Sequence, residues 1–256
     1  MFENTPCHVQ QRYAGQTLLW CSSDSKERFN ANLKNDHTKK LLEMNNWLDV
    51  EQNSKLTYNF NSQGFRSREI TTEHRGFAVF GCSFTMGLGL PYDELYHEQL
   101  AKELKLPADN FGVNGASNGL MFRIAQYWLP IVRPHFVIVQ TTFKERFEII
   151  NQYNVSTVMS PQWEEVSTQQ VFRNWWFTDA NSIADKQRNE LAIRYLCHKL
   201  DIPIFVIDEK DFTNPQLGLA RDIEHPGLPS HQRVANSLVE QIYAYSRNHA
   251  LKYIIP

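Results

Sequence analysis

The sequence predicts an α/β fold in which a parallel sheet lies between layers of helices. Short apolar runs, typical of buried strands, alternate with segments whose apolar residues recur at helical spacing. The 256 residues, 42% of them hydrophobic, are enough to bury a sizeable core. The predicted strands are 77–80, 110–113, 136–139 and 204–207.

Four helices are predicted between and after these strands, at 92–104, 120–129, 182–200 and 231–245. In each helix the apolar residues lie three or four positions apart, as on one face of a helix. The second helix is expected to end at Pro130 and Pro134, because proline has no N–H to continue the hydrogen-bond ladder. Strands that alternate with helices in this way predict helices on both faces of the sheet.

Residues 1–70 are predicted to form an arm packed on a main domain of residues 71–256. The arm is polar and irregular, apart from an amphipathic helix at 38–48 and a half-buried strand in which Leu56, Tyr58 and Phe60 alternate with polar residues. The segment has no low-complexity composition, so we expect it to be folded.

The aromatic-rich segment at about 149–180 has no clear periodicity. It is interpreted first as an insertion that packs its aromatic rings on the core. The alternative is a lid or wall over a site, with aromatic faces for a sugar ring or an acyl chain. The aromatic residues concerned are Tyr153, Trp163, Phe172, Trp175, Trp176 and Phe177.

Composition argues against several classes of partner. The formal net charge is −2 and the charged clusters are short, so nucleic acid and acidic membranes are poor candidates. The chain shows neither a signal-peptide pattern nor a run of about 18 apolar residues, which predicts a cytoplasmic protein without a membrane span. The four cysteines lack C-x-x-C spacing, so free thiols are expected.

Ser83 follows the first apolar strand at a glycine-rich turn. A hydroxyl nucleophile needs an exposed oxygen, a base within hydrogen-bond reach and N–H groups to receive an oxyanion. A strand-to-helix turn supplies the exposure and the N–H groups, so we expect Ser83 to be presented to solvent. Taken alone, however, such a segment is more often a tight turn with a capping serine.

A second cluster lies near the C-terminus, where Asp222 precedes His225 by three residues. This spacing allows the carboxylate to reach imidazole Nδ1 while Nε2 faces a site. Ligands of parallel sheets bind beyond the carboxyl ends of the strands, where Ser83 and Gly115 are expected to emerge. His231 is interpreted as a capping or packing histidine, with the role of base as the alternative.

Three segments together resemble the signature blocks of the SGNH (GDSL-type) hydrolases. Residues 81–83 resemble the Gly-Asp-Ser block, 110–115 are similar to Asn-x-Gly-x-x-Gly, and 222–226 match Asp-x-x-His-Pro. The resemblance covers roughly residues 75–245. It implies the family's flavodoxin-like three-layer α/β/α fold and its activities, which include esterases, lipases, thioesterases and carbohydrate deacetylases.

The resemblance also implies roles for individual residues. Ser83 would be the nucleophile, His225 the general base and then acid, and Asp222 the residue that orients His225. The backbone N–H groups of Ser83 and Gly115 would hold the oxyanion. Cys82 stands where the family has aspartate, and it is a weaker candidate nucleophile because it lies one residue from the matching position.

The sequence differs most from the family pattern at the position of the third block. Its glycine and its oxyanion-binding asparagine would fall on Thr142 and Lys144, so neither is kept. Thr142 and Lys144 are the first candidates for a replacement donor, and Gln140 and Thr141, in the same segment, could also donate. Loss of one such donor typically costs about 10² to 10³ in rate.

The activity that the resemblance implies is that of a serine esterase working through an acyl-enzyme. A carbohydrate O-acyl or acetyl ester is preferred to a lipid, because the tryptophans suit sugar stacking and no long aliphatic run is present. The partner is thus a small-molecule or glycan ester, and no metal or organic cofactor is needed. Two alternatives stay open: an O-acyltransferase using the same triad, and a non-catalytic binding or assembly module.

Overall fold

The computed structural model describes residues 12–73, 75–150, 156–160, 178–214 and 217–249. Two 3-10 turns, Tyr92–Glu94 and Glu209–Asp211, accompany the strands and helices. In chain order the strands and helices are β1 (Thr17–Leu18), α1 (Lys26–Lys34), α2 (Asp36–Met44), α3 (Val50–Ser54), β2 (Tyr58–Asn59), β3 (Phe77–Phe80), α4 (Ser83–Met86), α5 (Tyr96–Leu104), β4 (Ala108–Asn110), α6 (Asn118–Val132), β5 (Val137–Gln140), β6 (Phe147–Ile150), β7 (Ser156–Met159), α7 (Asp179–Lys199), β8 (Ile204–Ile207) and α8 (Leu228–His249).

The central sheet has the strand order β4-β3-β5-β8, with all neighbours parallel. The chain moves from β3 outward to β4 and then crosses back to β5 and β8. Because such crossovers are right-handed, the reversal places α5 and α6 on opposite faces of the sheet. Helix α5 packs against α8, and α6 packs against α7. The predicted three-layer α/β/α class with a flavodoxin-like parallel sheet is therefore confirmed.

Burial on both faces explains the composition of the central strands. All four residues of β3 and all four of β5 are buried, and their side chains alternate between the two helical layers. Phe77 on β3 stacks on Phe136, which precedes β5, with ring centroids 4.8 Å apart. Neighbouring strands thus share one apolar core, and the reversal of direction creates a crevice at the carboxyl ends of β3 and β5.

Strand β4 lies earlier than the sequence predicts, at 108–110 instead of 110–113. The side chain of Asn110 ends the strand, because its Oδ1 accepts a hydrogen bond from Gly112 N at 2.8 Å. Gly112 also passes close to α4, and a Cβ at this position would lie 2.4 Å from Met86 N. Gly112 therefore permits the loop after β4 to pack closely against α4.

Helix α6 continues through Pro130, where the sequence predicts its end, and stops at Val132. Pro130 and Gln126, four residues earlier, are both exposed. Water can therefore reach the Gln126 carbonyl that proline leaves without a donor. The helix ends at Arg133, which adopts the left-handed conformation with φ 45°.

In the N-terminal segment, α2 ends at Met44 and not at Leu48 as predicted, because Asn46 turns the chain with φ 60°. Trp47 is buried after this turn, and its indole N–H donates to Leu219 O at 2.9 Å. Strand β2 pairs antiparallel with β1. The N-terminal segment thereby contacts the loop that precedes α8.

Arg66 is a structural arginine. It is 1% exposed and donates to the carbonyl oxygens of Thr57 at 2.9 Å, Leu90 at 2.8 Å and Gly87. Its guanidinium carbon lies 4.5 Å from the centroid of the Tyr58 ring. These contacts hold the loop after α4 against the N-terminal segment.

The segment after β5 contains a hairpin that the sequence did not predict, formed by β6 and β7 in antiparallel register. The aromatic residues Tyr153, Trp163, Phe172, Trp175, Trp176 and Phe177 lie outside the described residues. The interpretation of 149–180 as an insertion or a lid therefore stays a prediction, as does the division at residue 70. No helix in the described part of the chain is both long and apolar enough to cross a membrane.

Asp109 on β4 allows the fold to be tested by the pH dependence of its stability. Its carboxylate is 2% exposed and accepts from Arg68 Nε at 2.9 Å. Burial raises the pKa of Asp109 from 3.8 to about 6, although Arg68 opposes the rise. Between these values the native state binds more protons than the unfolded chain, so stability falls as the pH rises through this window.

We expect Asp109→Asn to flatten the stability curve between about pH 4 and pH 6. The measurement is the midpoint of urea unfolding at several pH values. Asp201→Asn, at an exposed aspartate, is the matched control and should leave the shape of the curve unchanged. An Asp109→Asn curve parallel to that of the wild type would contradict the prediction.

Candidate active site

Ser83 begins α4 at the carboxyl end of β3, beside the crevice of the sheet. The turn before it requires glycine, since a Cβ at Gly81 would lie 2.0 Å from Thr85 Oγ1 and 2.7 Å from Gln140 Oε1. Helix α4 ends after one turn at Gly87, which has φ 81°. The sharp turn and the short helix together place Ser83 N–H and Oγ at the mouth of the sheet.

Gln140, the last residue of β5, braces this turn. Its Oε1 accepts hydrogen bonds from Cys82 N at 3.1 Å and from Thr85 Oγ1 at 3.2 Å. Its Nε2 donates to Thr141 O at 2.7 Å. Gln140 thus holds the Ser83 turn against the end of β5. A polar residue ending an apolar strand was the sequence signal for this role.

Ser83 and the distant pair of His225 and Asp222 form a continuous hydrogen-bond relay. Ser83 Oγ lies 2.8 Å from His225 Nε2, and His225 Nδ1 lies 2.6 Å from Asp222 Oδ2. The three-residue spacing has a structural cause, because Asp222 Oδ1 also accepts from His225 N at 3.0 Å. The His225 ring packs nearly perpendicular to the Phe84 ring, with centroids 5.7 Å apart.

The electrostatics of Asp222 suit the relay. The carboxylate is 2% exposed, and this burial alone would raise its pKa. The charge of His225 and the hydrogen bonds donated to the carboxylate outweigh burial, so the pKa of Asp222 is lowered. An ionised carboxylate at this position can stabilise the imidazolium that forms when His225 accepts a proton.

Ser83 is less accessible than the sequence predicts. It is 2% exposed, whereas we expected a serine presented to solvent. The His225 ring lies against its hydroxyl, and both neighbours, Cys82 and Phe84, are buried as well. Ser83 therefore sits below the surface, beside a histidine whose side chain is 15% exposed.

Gly115, the other candidate oxyanion donor, lies in the loop after β4. This loop runs beside the Ser83 turn, since Val113 N donates to Gly81 O at 3.0 Å. Gly115 has φ 72°, a conformation that favours glycine. Among the described residues, neither Ser83 N nor Gly115 N donates to a protein acceptor, so both remain available to a ligand.

The two candidates for a third donor are placed differently. Thr142 is buried, and its N–H donates to Asn118 Oδ1 at 3.0 Å while its hydroxyl oxygen accepts from Arg146 at 3.2 Å. No acceptor among the described residues takes the proton of the Thr142 hydroxyl. Lys144 Nζ instead donates to Asp179 Oδ1 at 2.6 Å, which holds it at the start of α7. Of the two side chains, Lys144 is the one already engaged in an ion pair.

Asn118 is a residue that sequence reasoning missed. The Asn118 side-chain amide forms two hydrogen bonds with the backbone of Thr142. Its Oδ1 accepts from Thr142 N, and its Nδ2 donates to Thr142 O at 3.2 Å. This pair connects the start of α6 to the segment that follows β5. The only sequence signal was an amide residue directly after the capping Ser117.

His231 has a structural role. It is 1% exposed, and its Nδ1 accepts from Tyr96 N, the first residue of α5, at 3.1 Å. Burial lowers the pKa of His231 to about 3, so its imidazole is neutral at physiological pH. It caps α5 in place of Leu95, which has no side-chain acceptor. His225 is accordingly the histidine that faces Ser83.

No protein-family model matches the chain, and no curated protein matches it in sequence. Solved structures are similar to it at low identity. A G-D-S-L family protein from Desulfitobacterium hafniense is 12% identical, with TM-score 0.37, and the match covers 64% of this chain and 97% of that chain. An SGNH-hydrolase family esterase is 16% identical, with TM-score 0.36 and coverage of 72% and 98%.

A third solved structure is a family two carbohydrate esterase from Clostridium thermocellum in complex with cellohexaose. It is 13% identical, with TM-score 0.41, and the match covers 72% of this chain and 67% of that chain. The G-D-S-L and SGNH names are those of the family that the sequence motifs resemble.

Proposed function

We propose that the chain is an SGNH (GDSL-type) serine hydrolase that cleaves an ester through an acyl-enzyme on Ser83. The observation that carries this proposal is the relay from Ser83 Oγ through His225 to Asp222, with distances of 2.8 and 2.6 Å. Both distances lie in the range of productive nucleophile–base and base–carboxylate hydrogen bonds. In addition, within the described part of the chain the N–H groups of Ser83 and Gly115 have no acceptor, which supports their role as oxyanion donors.

In the first half-reaction, His225 Nε2 takes the hydroxyl proton as Ser83 Oγ attacks the ester carbonyl carbon. The tetrahedral oxyanion accepts hydrogen bonds from Ser83 N–H and Gly115 N–H, with the Thr142 hydroxyl as the third donor. His225 then gives its proton to the leaving alcohol oxygen, and the alcohol departs. Asp222 stays ionised throughout and stabilises the imidazolium.

In the second half-reaction, water attacks the acyl-Ser83 carbonyl and His225 accepts the proton of that water. The proton passes to Ser83 Oγ as the carboxylic acid leaves, which regenerates the resting site. No metal or organic cofactor enters either step. For the substrate we propose a carbohydrate O-acyl or acetyl ester, on the composition of the aromatic-rich 149–180 segment.

Acyl transfer is the second candidate, and the burial of Ser83 favours it. A transferase must protect its acyl-enzyme from water until an acceptor hydroxyl arrives, and Ser83 is 2% exposed. Product formation from an acetylated sugar, with and without added acceptor sugars, distinguishes the two reactions. Acetate alone indicates hydrolysis, whereas an acetylated acceptor indicates transfer.

The test of an activated serine is labelling by a small fluorophosphonate probe. We expect the wild type to be labelled, and Ser83→Ala and His225→Ala to remain unlabelled. Cys82→Ala should keep its labelling, because the proposed nucleophile is the serine oxygen and not the neighbouring sulfur. A folded wild type that resists the probe would contradict the proposal and favour a non-catalytic module.

A further inference from the structure

A tight turn in the N-terminal segment, Cys21 to Asp24, lies against the proposed active site. We call it the 21–24 turn. Cys21 N donates to Asp24 O at 2.9 Å, and Asp24 N donates to Cys21 O at 3.1 Å. Ser22 has φ 53°, a left-handed conformation that is uncommon for residues other than glycine. Strain of this kind persists where surrounding contacts enforce it, and it often occurs at functional sites.

Three consecutive side chains of the turn, those of Ser22, Ser23 and Asp24, contact residues at or next to the site. Ser23 Oγ donates to Asp222 Oδ2 at 2.9 Å. Ser22 Oγ accepts from Asn114 Nδ2 at 2.6 Å, and Asn114 immediately precedes the proposed oxyanion donor Gly115. The turn therefore bridges the loop of the triad carboxylate and the loop of the oxyanion hole.

Asp24 anchors the residue before Asp222. Its carboxylate accepts from Arg221 Nε at 2.9 Å and from an Arg221 terminal nitrogen at 2.7 Å. Both side chains are almost completely buried, with 1% and 2% exposure. Asn45 Oδ1 accepts from Leu219 N at 2.7 Å, which adds another N-terminal contact to the same loop.

Ser23 completes the hydrogen bonding of the Asp222 carboxylate. A carboxylate has about four lone-pair sites. Oδ1 accepts from the N–H groups of Glu224 and His225, and Oδ2 accepts from His225 Nδ1 and Ser23 Oγ. Ser23 is the one donor of this set that comes from outside the loop itself. Its hydrogen bond therefore ties the Asp222 carboxylate directly to the N-terminal segment.

We propose that the 21–24 turn is part of the active site, with Ser23 as a positioning residue that holds Asp222 and, through it, the ring of His225. This inference rests on the proposed function for its catalytic meaning. The hydrogen bond from Ser23 to Asp222, and its effect on the position of His225, can be tested without turnover. The N-terminal segment is then a component of the site and not only a covering of the main domain.

The first readout is the second-order rate constant of labelling by the small fluorophosphonate probe. We expect Ser23→Ala to lower it about tenfold, because the lost hydrogen bond is made to a charged group. Ser23→Thr keeps the hydroxyl and should stay within about threefold of the wild type. Ser25→Ala is the matched control: it removes the cap of α1, where Ser25 Oγ accepts from Arg28 N, without touching the site.

The second readout does not require activity. The proton between His225 Nδ1 and Asp222 Oδ2 should give a downfield NMR resonance, absent in His225→Ala, because this hydrogen bond is short and charge-assisted. We expect the resonance to shift or broaden in Ser23→Ala, and to keep its position in Ser23→Thr and Ser25→Ala. A purely structural role for Ser23 would leave it unchanged.

The outcomes separate the two proposals. A labelled wild type whose rate constant and resonance are both unaffected by Ser23→Ala overturns the positioning role alone. An unlabelled wild type overturns the proposed function, while a resonance that moves in Ser23→Ala still supports positioning. Loss of labelling in Ser25→Ala equal to that in Ser23→Ala would also overturn the inference, since it would show a general effect of destabilising the N-terminal segment.

Discussion

Asp222→Asn is expected to lower the rate of labelling and of ester cleavage by about 10⁴-fold, as the same exchange does in serine proteases with this triad. Asp222 Oδ2 accepts the Nδ1 proton of His225 at 2.6 Å. An amide at this position can present its NH₂ group to Nδ1 and favour the opposite tautomer. His225 Nε2 would then carry a proton and be unable to accept the one on Ser83.

The measurement is the rate of p-nitrophenyl acetate hydrolysis together with the rate constant of fluorophosphonate labelling. Glu224→Gln is the matched control, because it neutralises a carboxylate two residues away that pairs with Arg28 at the surface. The control should retain most of the wild-type rate. If Asp222→Asn retained more than about a tenth of the wild-type rate, the role assigned to Asp222 would be wrong.

Asp24→Asn is expected to destabilise the protein by about 3 to 5 kcal/mol, because it leaves the buried Arg221 guanidinium without a countercharge. For a chain of this size the loss corresponds to a decrease of about 10 °C in Tm. Asp24 also accepts from Tyr58 Oη at 2.5 Å, so the substitution weakens a second buried contact.

A double-mutant cycle with Arg221→Met checks the cause. If the loss in Asp24→Asn comes from the uncompensated charge, the double variant should be more stable than the sum of the two single effects predicts. Glu224→Gln is again the control, since breaking an exposed ion pair should cost only about 0 to 1 kcal/mol. Additive effects in the cycle, measured by urea unfolding, would contradict the explanation.

Local sequence was sufficient for the features that depend on neighbouring residues. The apolar run at 77–80 and the helical spacing around it predict strand, turn and helix because burial on two faces needs a continuous apolar segment. Likewise, Asp222 and His225 are three residues apart, so one loop can bring their side chains together. The position of Ser83 at the end of β3 followed from the same local pattern.

Tertiary structure decided what depends on distant parts of the chain. The contact between Ser83 and His225 spans 142 positions in the sequence, and no local pattern measures that distance. The same holds for Gln140 at the Ser83 turn and for Asn118 at Thr142, because each satisfies a partner on another element. The burial of Ser83 also escaped prediction, since it results from residues that only the fold brings together.

The sequence by itself determined the α/β class, the glycine-rich turn at Ser83 and the Asp222–His225 pair, because hydrophobic periodicity and loop spacing are local properties. Only the tertiary structure decided that Ser23 and Asp24 hold the loop of that pair. Those two residues lie about 200 positions from their partners, and a serine and an aspartate in a polar segment carry no sign of what they will contact.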